Sequence, residues 1–175
     1  MNDSEAVSEC QAGNREAFRH LVENYKDILF GTAILMTGNN AIAEDMVQEA
    51  FISAWKGINR FQNGRPVKPW LVKILVNKVL SNRRRGEPYK ISLDDNIGGN
   101  QSGPGLAEEF EVKDEVGRAL DKLSEEHRQV VILRYFSELS LEEISAAMGC
   151  RQGTVKSRLH RAQGILRELL IEGNQ

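Results

Sequence analysis

Cysteines, prolines and long apolar runs are scarce in this 175-residue sequence, which has two cysteines and four prolines. Cys10 and Cys150 stand in contexts without metal-ligand spacing, so they are expected to be reduced thiols. The longest apolar run, Ile28 to Met36, is interrupted by Gly31 and Thr32 and is too short to cross a bilayer. The N-terminus, MNDSEAVSEC, lacks the basic start and apolar run of a signal peptide. These absences predict a soluble, cytoplasmic protein without membrane insertion.

Catalytic and cofactor-binding signatures are also missing from the sequence. His20, His127 and His160 lie far apart, and none belongs to an HExxH pattern. Neither a P-loop nor a GxGxxG sequence occurs. Asp94 and Asp95 could hold a cation, but their Gly-rich surroundings would orient them poorly. The sequence therefore predicts no enzyme activity, no cofactor and no metal site.

Charge is distributed unevenly, although the whole chain has a net charge of only −2. Residues 1–85 carry 12 basic and 9 acidic side chains, whereas residues 86–127 carry 4 and 11. Residues 128–175 carry 7 basic and 5 acidic side chains. Two basic ends around an acidic middle indicate two modules that act on one anionic partner. A further hypothesis is that the acidic segment Gly86–His127 folds back on the basic helices.

Apolar residues recur at helical spacing over most of the chain, and no strand pattern appears. This periodicity predicts helices over Asn14–Met36, Ala41–Ile58, Pro69–Arg85, Leu106–Leu123 and Ser124–Phe136. Gly86–Glu109 is rich in Gly, Ser, Asn and Asp, which is typical of a linker, with an average span of roughly 25 Å. We therefore predict an all-α protein with two small helical modules, 1–85 and 110–175, joined by a flexible linker at 86–109.

The stretch Leu139–Leu169 has the pattern of a helix–turn–helix. Its first helix ends at Gly149, where a left-handed residue is favoured. The second helix has an apolar stripe on one side, formed by Val155, Leu159, Ala162, Leu166 and Leu169. Its other side is basic and carries Arg151, Lys156, Arg158, Arg161 and Arg167. A basic outward helix fits the major groove of DNA, but the same pattern also occurs in plain packing units.

Motifs in both modules resemble those of one protein family. AEDMVQEAFISAW (Ala43–Trp55), followed by Phe61, PWLVKILVN and RRR, resembles conserved region two of sigma factors. ALDKLSEEHRQVVILRYFSELSLEEISAAMG followed by GTVKSRLHRA resembles their region four. The chain thus resembles the extracytoplasmic-function (ECF) class of the sigma-70 family. The resemblance implies a subunit that directs core RNA polymerase to specific promoters and assists their melting, with the polymerase performing the chemistry.

The resemblance also implies three sets of site residues. The residues expected to bind the clamp helices of the largest polymerase subunit are Glu44, Asp45, Gln48 and Glu49. Those expected to act on the minus-ten element are Phe61, Lys73, Asn77, Lys78, Arg83, Arg84 and Arg85. Those expected to contact the minus-thirty-five element are Arg151, Gln152, Lys156, Ser157, Arg158, His160 and Arg161. Departures from the family pattern at Ser81 and Pro66 leave the minus-ten specificity open.

Other functions and partners also follow from these patterns. A stand-alone helix–turn–helix transcriptional regulator would account for the C-terminal half, but not for the acidic helix or the PWL helix. A protein that binds polymerase without DNA is a third possibility, and the basic second helix argues against it. The resemblance further implies control by an anti-sigma factor, and we expect a monomer when the chain is free. By its spacing with Ile74, Trp70 is expected to pack in the core.

Overall fold

The structure is a computed structural model that describes residues 1–85 and 116–172. The described residues form helices joined by short turns, without β-strands, which confirms the all-α prediction. The linker predicted at Gly86–Glu109 lies outside the described residues, and so does the start of the helix predicted from Leu106. No helix in the described ranges combines the length and the apolar character that crossing a membrane requires.

The N-terminal module consists of four α-helices. They are α1 (Asp3–Gln11), α2 (Arg15–Thr37), α3 (Asn40–Gly57) and α4 (Val67–Arg85), with a 3₁₀ turn at Ile58–Arg60 after α3. The apolar stripes of α2, α3 and α4 face one another, and Leu21, Leu29, Leu71 and Leu75 are fully buried there. The periodic pattern thus predicted α2 to α4 to within about two residues.

Helix α1 was not predicted from the sequence. Asn2 and Glu5 form a capping box, in which the Asn2 side chain accepts from the Glu5 amide and the Glu5 carboxylate accepts from the Asn2 amide. Ala6, Val7 and Cys10 bury one face of the helix against the rest of the module. The cap and this narrow apolar face explain why so short a segment is helical.

The C-terminal module begins with α5, described over residues 116–121, and α6 (Glu125–Val131). A π-helical turn, Ile132–Phe136, continues directly from α6. Helices α7 (Leu141–Met148) and α8 (Gln152–Glu172) then form the predicted helix–turn–helix. Gly149 ends α7 with φ +65°, and Ser124 caps α6 by accepting from the His127 amide, as the sequence predicted.

The two modules pack against each other, an arrangement that the sequence did not specify. Helix α4 contacts α7, and α2 contacts the π-helical turn. The ring of Phe136 lies directly against Gly31, where no room remains for a Cβ atom. Beside this contact, the buried hydroxyls of Thr32 and Ser137 are hydrogen-bonded at 2.9 Å. The buried residues of both modules therefore form one continuous hydrophobic core.

Candidate polymerase and nucleic-acid interfaces

Helix α3 presents one polar face to solvent. Glu44, Asp45, Gln48 and Glu49 are all exposed, whereas Ala43, Met46, Val47 and Ala50 on the opposite side are buried. The aromatic side chains of α2 and α3 hold this orientation, because the Phe18 ring meets Trp55 edge-on at 5.3 Å between centroids. The four residues predicted to bind polymerase therefore form one accessible acidic surface.

An exposed isoleucine lies at the C-terminal end of this acidic surface. Ile52 is 54% exposed, and its spacing of four from Gln48 and seven from Asp45 puts all three on one side of α3. Sequence reasoning missed Ile52 because it assigned the apolar residues of α3 to the buried stripe. The sequence did indicate that Ile52 is exposed, because its position falls outside the buried stripe. Ile52 thus extends the exposed face of α3 by one apolar side chain.

Helix α4 carries the residues predicted to act on the minus-ten element. Lys73 and Asn77 are exposed and lie one turn apart on the same face. Lys78 points toward α3 instead, where its Nζ lies 3.6 Å from Oε2 of Glu49. The side chains of Arg84 and Arg85 are outside the described part of the structure. Only Lys73 and Asn77 of the predicted set therefore form a common exposed surface among the described side chains.

Phe61 does not lie on that surface. Its side chain is only 9% exposed, and its ring packs on Trp70 with 4.6 Å between centroids. The ring is therefore turned toward the interior of the module, because contact with Trp70 removes its apolar surface from water. The expectation that Trp70 packs in the core is confirmed.

Helix α1 holds the loop before α4, at residues 61–66. The side-chain amide of Gln11 donates to the carbonyl oxygens of Ile58 and Phe61, both at 2.9 Å. Ser4 donates to Asn63 Oδ1 at 2.8 Å, and the same oxygen accepts from the backbone amide of Gly64 at 2.8 Å. Gln11 and Asn63 were not identified from the sequence, since their partners lie about 50 residues away along the chain.

Helix α8 presents the predicted minus-thirty-five surface. Arg151, Gln152, Lys156, Ser157, His160 and Arg161 are all exposed. Val155, Leu159 and Ala162 are buried behind them, which fixes the rotation of the helix. Ser157 donates to the carbonyl of Thr154 at 3.0 Å, so this hydroxyl is turned toward its own helix. The remaining side chains offer amide, imidazole and basic donors along one face, as base and phosphate contacts require.

Arg158 differs from its neighbours on α8. Its side chain is 20% exposed, and Nη2 lies 2.8 Å from Oε1 of Glu126 at the start of α6. The adjacent Glu125 is paired with Arg83 of α4 and also accepts from the amide of Gln129 at 2.8 Å. One predicted DNA-binding arginine from each module is thus paired with a glutamate in the first turn of α6.

A buried arginine lies next to these pairs. Arg128 is 9% exposed, and its Nη1 lies 3.7 Å from Oδ1 of Asp121. Burial lowers the pKa of Arg128, the Asp121 carboxylate opposes that change, and Arg83 lowers it further. Burial likewise raises the pKa of Asp121 against the attraction of Arg128. Charged side chains of α5 and α6 thus lie next to Arg83 of α4 where the modules meet.

Neither cysteine belongs to a site. Cys10 is buried, and burial followed by the neighbouring Glu9 raises the pKa of its thiol. Cys150 is partly exposed in the turn before α8. Within residues 1–85 and 116–172, His, Cys, Asp and Glu side chains form no group of three that could hold a metal ion.

Both halves of the chain match models of known protein families. Residues 21–88 match "Sigma-70 region 2", and residues 113–162 match "Sigma-70, region 4". The chain is 32% identical to the ECF RNA polymerase sigma factor SigW of Bacillus subtilis, over 94% of each chain. It is 33% identical to SigL of Mycobacterium tuberculosis, also an ECF RNA polymerase sigma factor, over 95% of this chain and 96% of that one.

Two solved structures are similar in fold. CnrH, in complex with the cytosolic domain of CnrY, superposes with a TM-score of 0.73 at 26% identity, covering 97% of both chains. The sigma factor RpoE of Bartonella quintana, in complex with the anti-sigma factor NepR, superposes with a TM-score of 0.69 at 33% identity. This second match covers 87% of the present chain and 96% of RpoE.

Proposed function

This chain belongs to the ECF class of the sigma-70 family, and from that premise we propose that three of its helices divide the work of promoter recognition. As a sigma factor, it directs core RNA polymerase to specific promoters and assists their melting. In our proposal α3 binds core polymerase, α4 acts on the minus-ten element and α8 reads the minus-thirty-five element. The observation that carries the proposal is that each helix buries its apolar stripe and exposes polar side chains of its predicted set, which on α4 are Lys73 and Asn77.

For polymerase binding we propose a contact made by the acidic surface of α3 together with Ile52 at its C-terminal end. Glu44, Asp45, Gln48 and Glu49 supply acceptors for arginines on the clamp helices of the largest subunit, and charge-assisted hydrogen bonds to arginine are the stronger kind. Ile52 supplies an apolar side chain beside these polar groups, which a partner can bury. The acidic groups then determine orientation and association rate, and Ile52 contributes affinity.

For the minus-ten element we propose that Asn77 contacts an unpaired base and that Lys73 neutralises a phosphate. Unpairing a base costs a few kcal/mol, which contacts to the extruded base must return. An amide both donates and accepts, and it therefore suits a base edge. Phe61 takes an indirect part by packing under the loop, which α1 anchors through Gln11 and Asn63. Arg84 and Arg85 remain predicted phosphate contacts.

For the minus-thirty-five element we propose major-groove reading by α8. Lys156 and Arg161 are exposed and suited to guanine or phosphate, and Gln152 and His160 add neutral donors. Arg151, in the turn before α8, is placed for a phosphate contact. Arg158 can join them only if it leaves Glu126.

We also propose a cytoplasmic protein without enzyme activity of its own. RpoE, its relative, is bound by an anti-sigma factor, and we propose that a partner of this class binds the present chain too. Such a partner would act by covering the α3 and α8 surfaces. A stand-alone helix–turn–helix regulator is disfavoured, since it would leave the exposed faces of α3 and α4 without a role.

The test is run-off transcription with purified core polymerase on promoters that the chain itself selects from genomic fragments. We expect transcription that depends on the chain and starts at fixed distances from the selected sequences. Variants Asp45→Ala with Gln48→Ala are expected to abolish it by preventing assembly, which size-exclusion chromatography with core enzyme would reveal. If the chain neither associates with core polymerase nor stimulates any promoter, the proposed function is wrong.

A further inference from the structure

Helix α1 lies outside residues 21–88, the range that matches the region 2 model, so the family match assigns it no function. The helix is nevertheless fixed firmly on its module. Val7 is fully buried, and the first turn of α1 is tied to α2 through Asp3. The Tyr25 hydroxyl donates to one carboxylate oxygen of Asp3, and His20 Nε2 lies 3.9 Å from the other. These contacts hold α1 in place independently of the loop before α4.

Gln11, the last residue of α1, fixes the start of that loop. Its Nε2 donates to the carbonyl oxygens of Ile58 and Phe61, both at 2.9 Å. The Phe61 amide donates to the Ile58 carbonyl at 3.1 Å, which closes the 3₁₀ turn after α3. Carbonyl groups at the end of a helical turn need partners from outside the turn. Gln11 supplies a donor to both, and it thereby determines the direction in which the chain leaves this turn.

Two serines of α1 fix the tip of the loop. The Ser4 hydroxyl donates to Asn63 Oδ1 at 2.8 Å, and Asn63 Nδ2 donates to the Ser8 hydroxyl. Ser4 and Ser8 lie one turn apart on the same side of α1, so both reach one loop residue. Gly64 follows with φ +88°, and its amide donates to the same Asn63 oxygen at 2.8 Å. The tip is therefore held to α1 through the side chain of Asn63.

The loop leads directly into α4, the helix with the exposed Lys73 and Asn77. On the side of α4 it is fixed by the Phe61 ring, which packs on Trp70 with 4.6 Å between centroids. Residues 62–66 are all exposed between these two attachments. In an oriented site, a misplacement of about 1 Å can cost about 100-fold in rate. The position of the exposed loop residues therefore depends on α1 as well as on α4.

We propose that Ser4, Ser8 and Gln11 are positioning residues that determine which bases the chain accepts at the minus-ten element, without touching DNA themselves. This inference rests on the proposed function, because it assumes that α4 and the loop before it act on that element. Gln11 fixes the start of the loop, and the two serines fix its tip. Without these hydrogen bonds the loop adopts other conformations and admits other bases. Discrimination between bases then falls more than total promoter opening does.

Two uncharged variants release the loop at its two attachments to α1. Gln11→Met keeps the approximate length and helix propensity of the side chain but removes both donors. Ser4→Ala with Ser8→Ala removes both hydroxyls, and alanine favours a helix more than serine does. Glu9→Ala is the control, since Glu9 is exposed on α1 and its carboxylate accepts from Asn14 at 3.2 Å, outside the loop. Circular dichroism checks that all three variants remain folded.

The first measurement is base preference at the minus-ten element. The full-length chain and core polymerase transcribe a pool of promoters whose minus-ten element is randomised, and sequencing shows which templates are used. A neutral hydrogen bond shifts an equilibrium by about two- to tenfold, so we expect both variants to lose about threefold or more of the discrimination between bases. Glu9→Ala should keep the wild-type preference. A role in stability alone would instead lower transcription from all templates by one factor.

The second measurement is hydrogen exchange of the loop amides in the free chain, without polymerase. We expect the amides of residues 61–65 to exchange about threefold or more faster in both variants, because the loop opens more often. Wild-type base preference or wild-type exchange in both variants would overturn the inference, as would equal changes in Glu9→Ala. A wild-type chain that stimulates no promoter overturns the proposed function, whereas the exchange rates still report whether α1 holds the loop.

Discussion

Arg158 of helix α8 is ion-paired with Glu126 of α6, with Nη2 and Oε1 2.8 Å apart. Its neighbours Lys156 and Arg161 on the same helix are exposed. The family pattern predicts one function for all three residues, but within the described part of the chain only Arg158 has an acidic partner at hydrogen-bond distance. In the free chain this residue is therefore less available to DNA than the other two.

Glu126→Gln should raise the affinity of the free chain for DNA. The substitution keeps the shape of the side chain and removes its charge, and pairs of this exposure contribute about 0.2–1 kcal/mol, or up to about fivefold in affinity. Glu142→Gln is the control, because Glu142 is an exposed acid on α7 of the same module. Fluorescence anisotropy with a labelled duplex measures the effect at fixed ionic strength. An equal increase in DNA affinity for both variants would show only that removing any negative charge reduces repulsion from DNA.

Ile52→Ala should weaken binding to core polymerase without lowering the stability of the chain. Full burial of an isoleucine stabilises a complex by about 1.5–3 kcal/mol, so truncation to alanine should cost about 1–2 kcal/mol of binding free energy. Ile171→Ala provides the comparison, since Ile171 is 58% exposed on α8 and Ile52 is 54% exposed on α3. Calorimetric titration of core polymerase distinguishes them. Unchanged affinity for Ile52→Ala would remove this residue from the interface.

The sequence predicted those parts of the fold that depend on local periodicity and caps. Helix α2 was expected at Asn14–Met36 and spans Arg15–Thr37, because its apolar stripe recurs with helical spacing. Helix α1 was missed because it has only a narrow apolar face, although Asn2 and Glu5 carried the signal of a capping box.

The site could be predicted only as far as single helices determine it. The exposed faces of α3 and α8 follow from the positions of their apolar stripes. The burial of Phe61 instead depends on contact with Trp70, which a loop separates from it along the chain. The charge pattern suggested that the acidic segment contacts the basic helices. It could not identify Glu125 and Glu126, because their partners Arg83 and Arg158 lie 42 and 32 residues away along the chain. Such pairs are set by the packing of the two modules.

Ser140→Ala should destabilise the helix–turn–helix by about 1 kcal/mol. Ser140 caps α7 by accepting from the Glu143 amide at 3.2 Å, and the Glu143 carboxylate accepts from the Ser140 amide at 2.7 Å. Alanine removes the side-chain acceptor and leaves a donor of the first turn without its partner. Urea denaturation followed by circular dichroism gives the free energy of unfolding. Ser81→Ala, at an exposed position inside α4, should change it by less than about 0.5 kcal/mol.

Asn77→Ala should reduce promoter opening while assembly with core polymerase remains normal. Asn77 is exposed on α4 and donates to no other described residue, so its loss should leave the module intact. If its amide contacts an unpaired base, removal leaves that base edge unsatisfied at a cost of about 1–3 kcal/mol. Permanganate footprinting of unpaired thymines measures opening, and native gels measure assembly. Wild-type opening by Asn77→Ala would show that the base is held by other residues, and Lys73 would then be the next position to substitute.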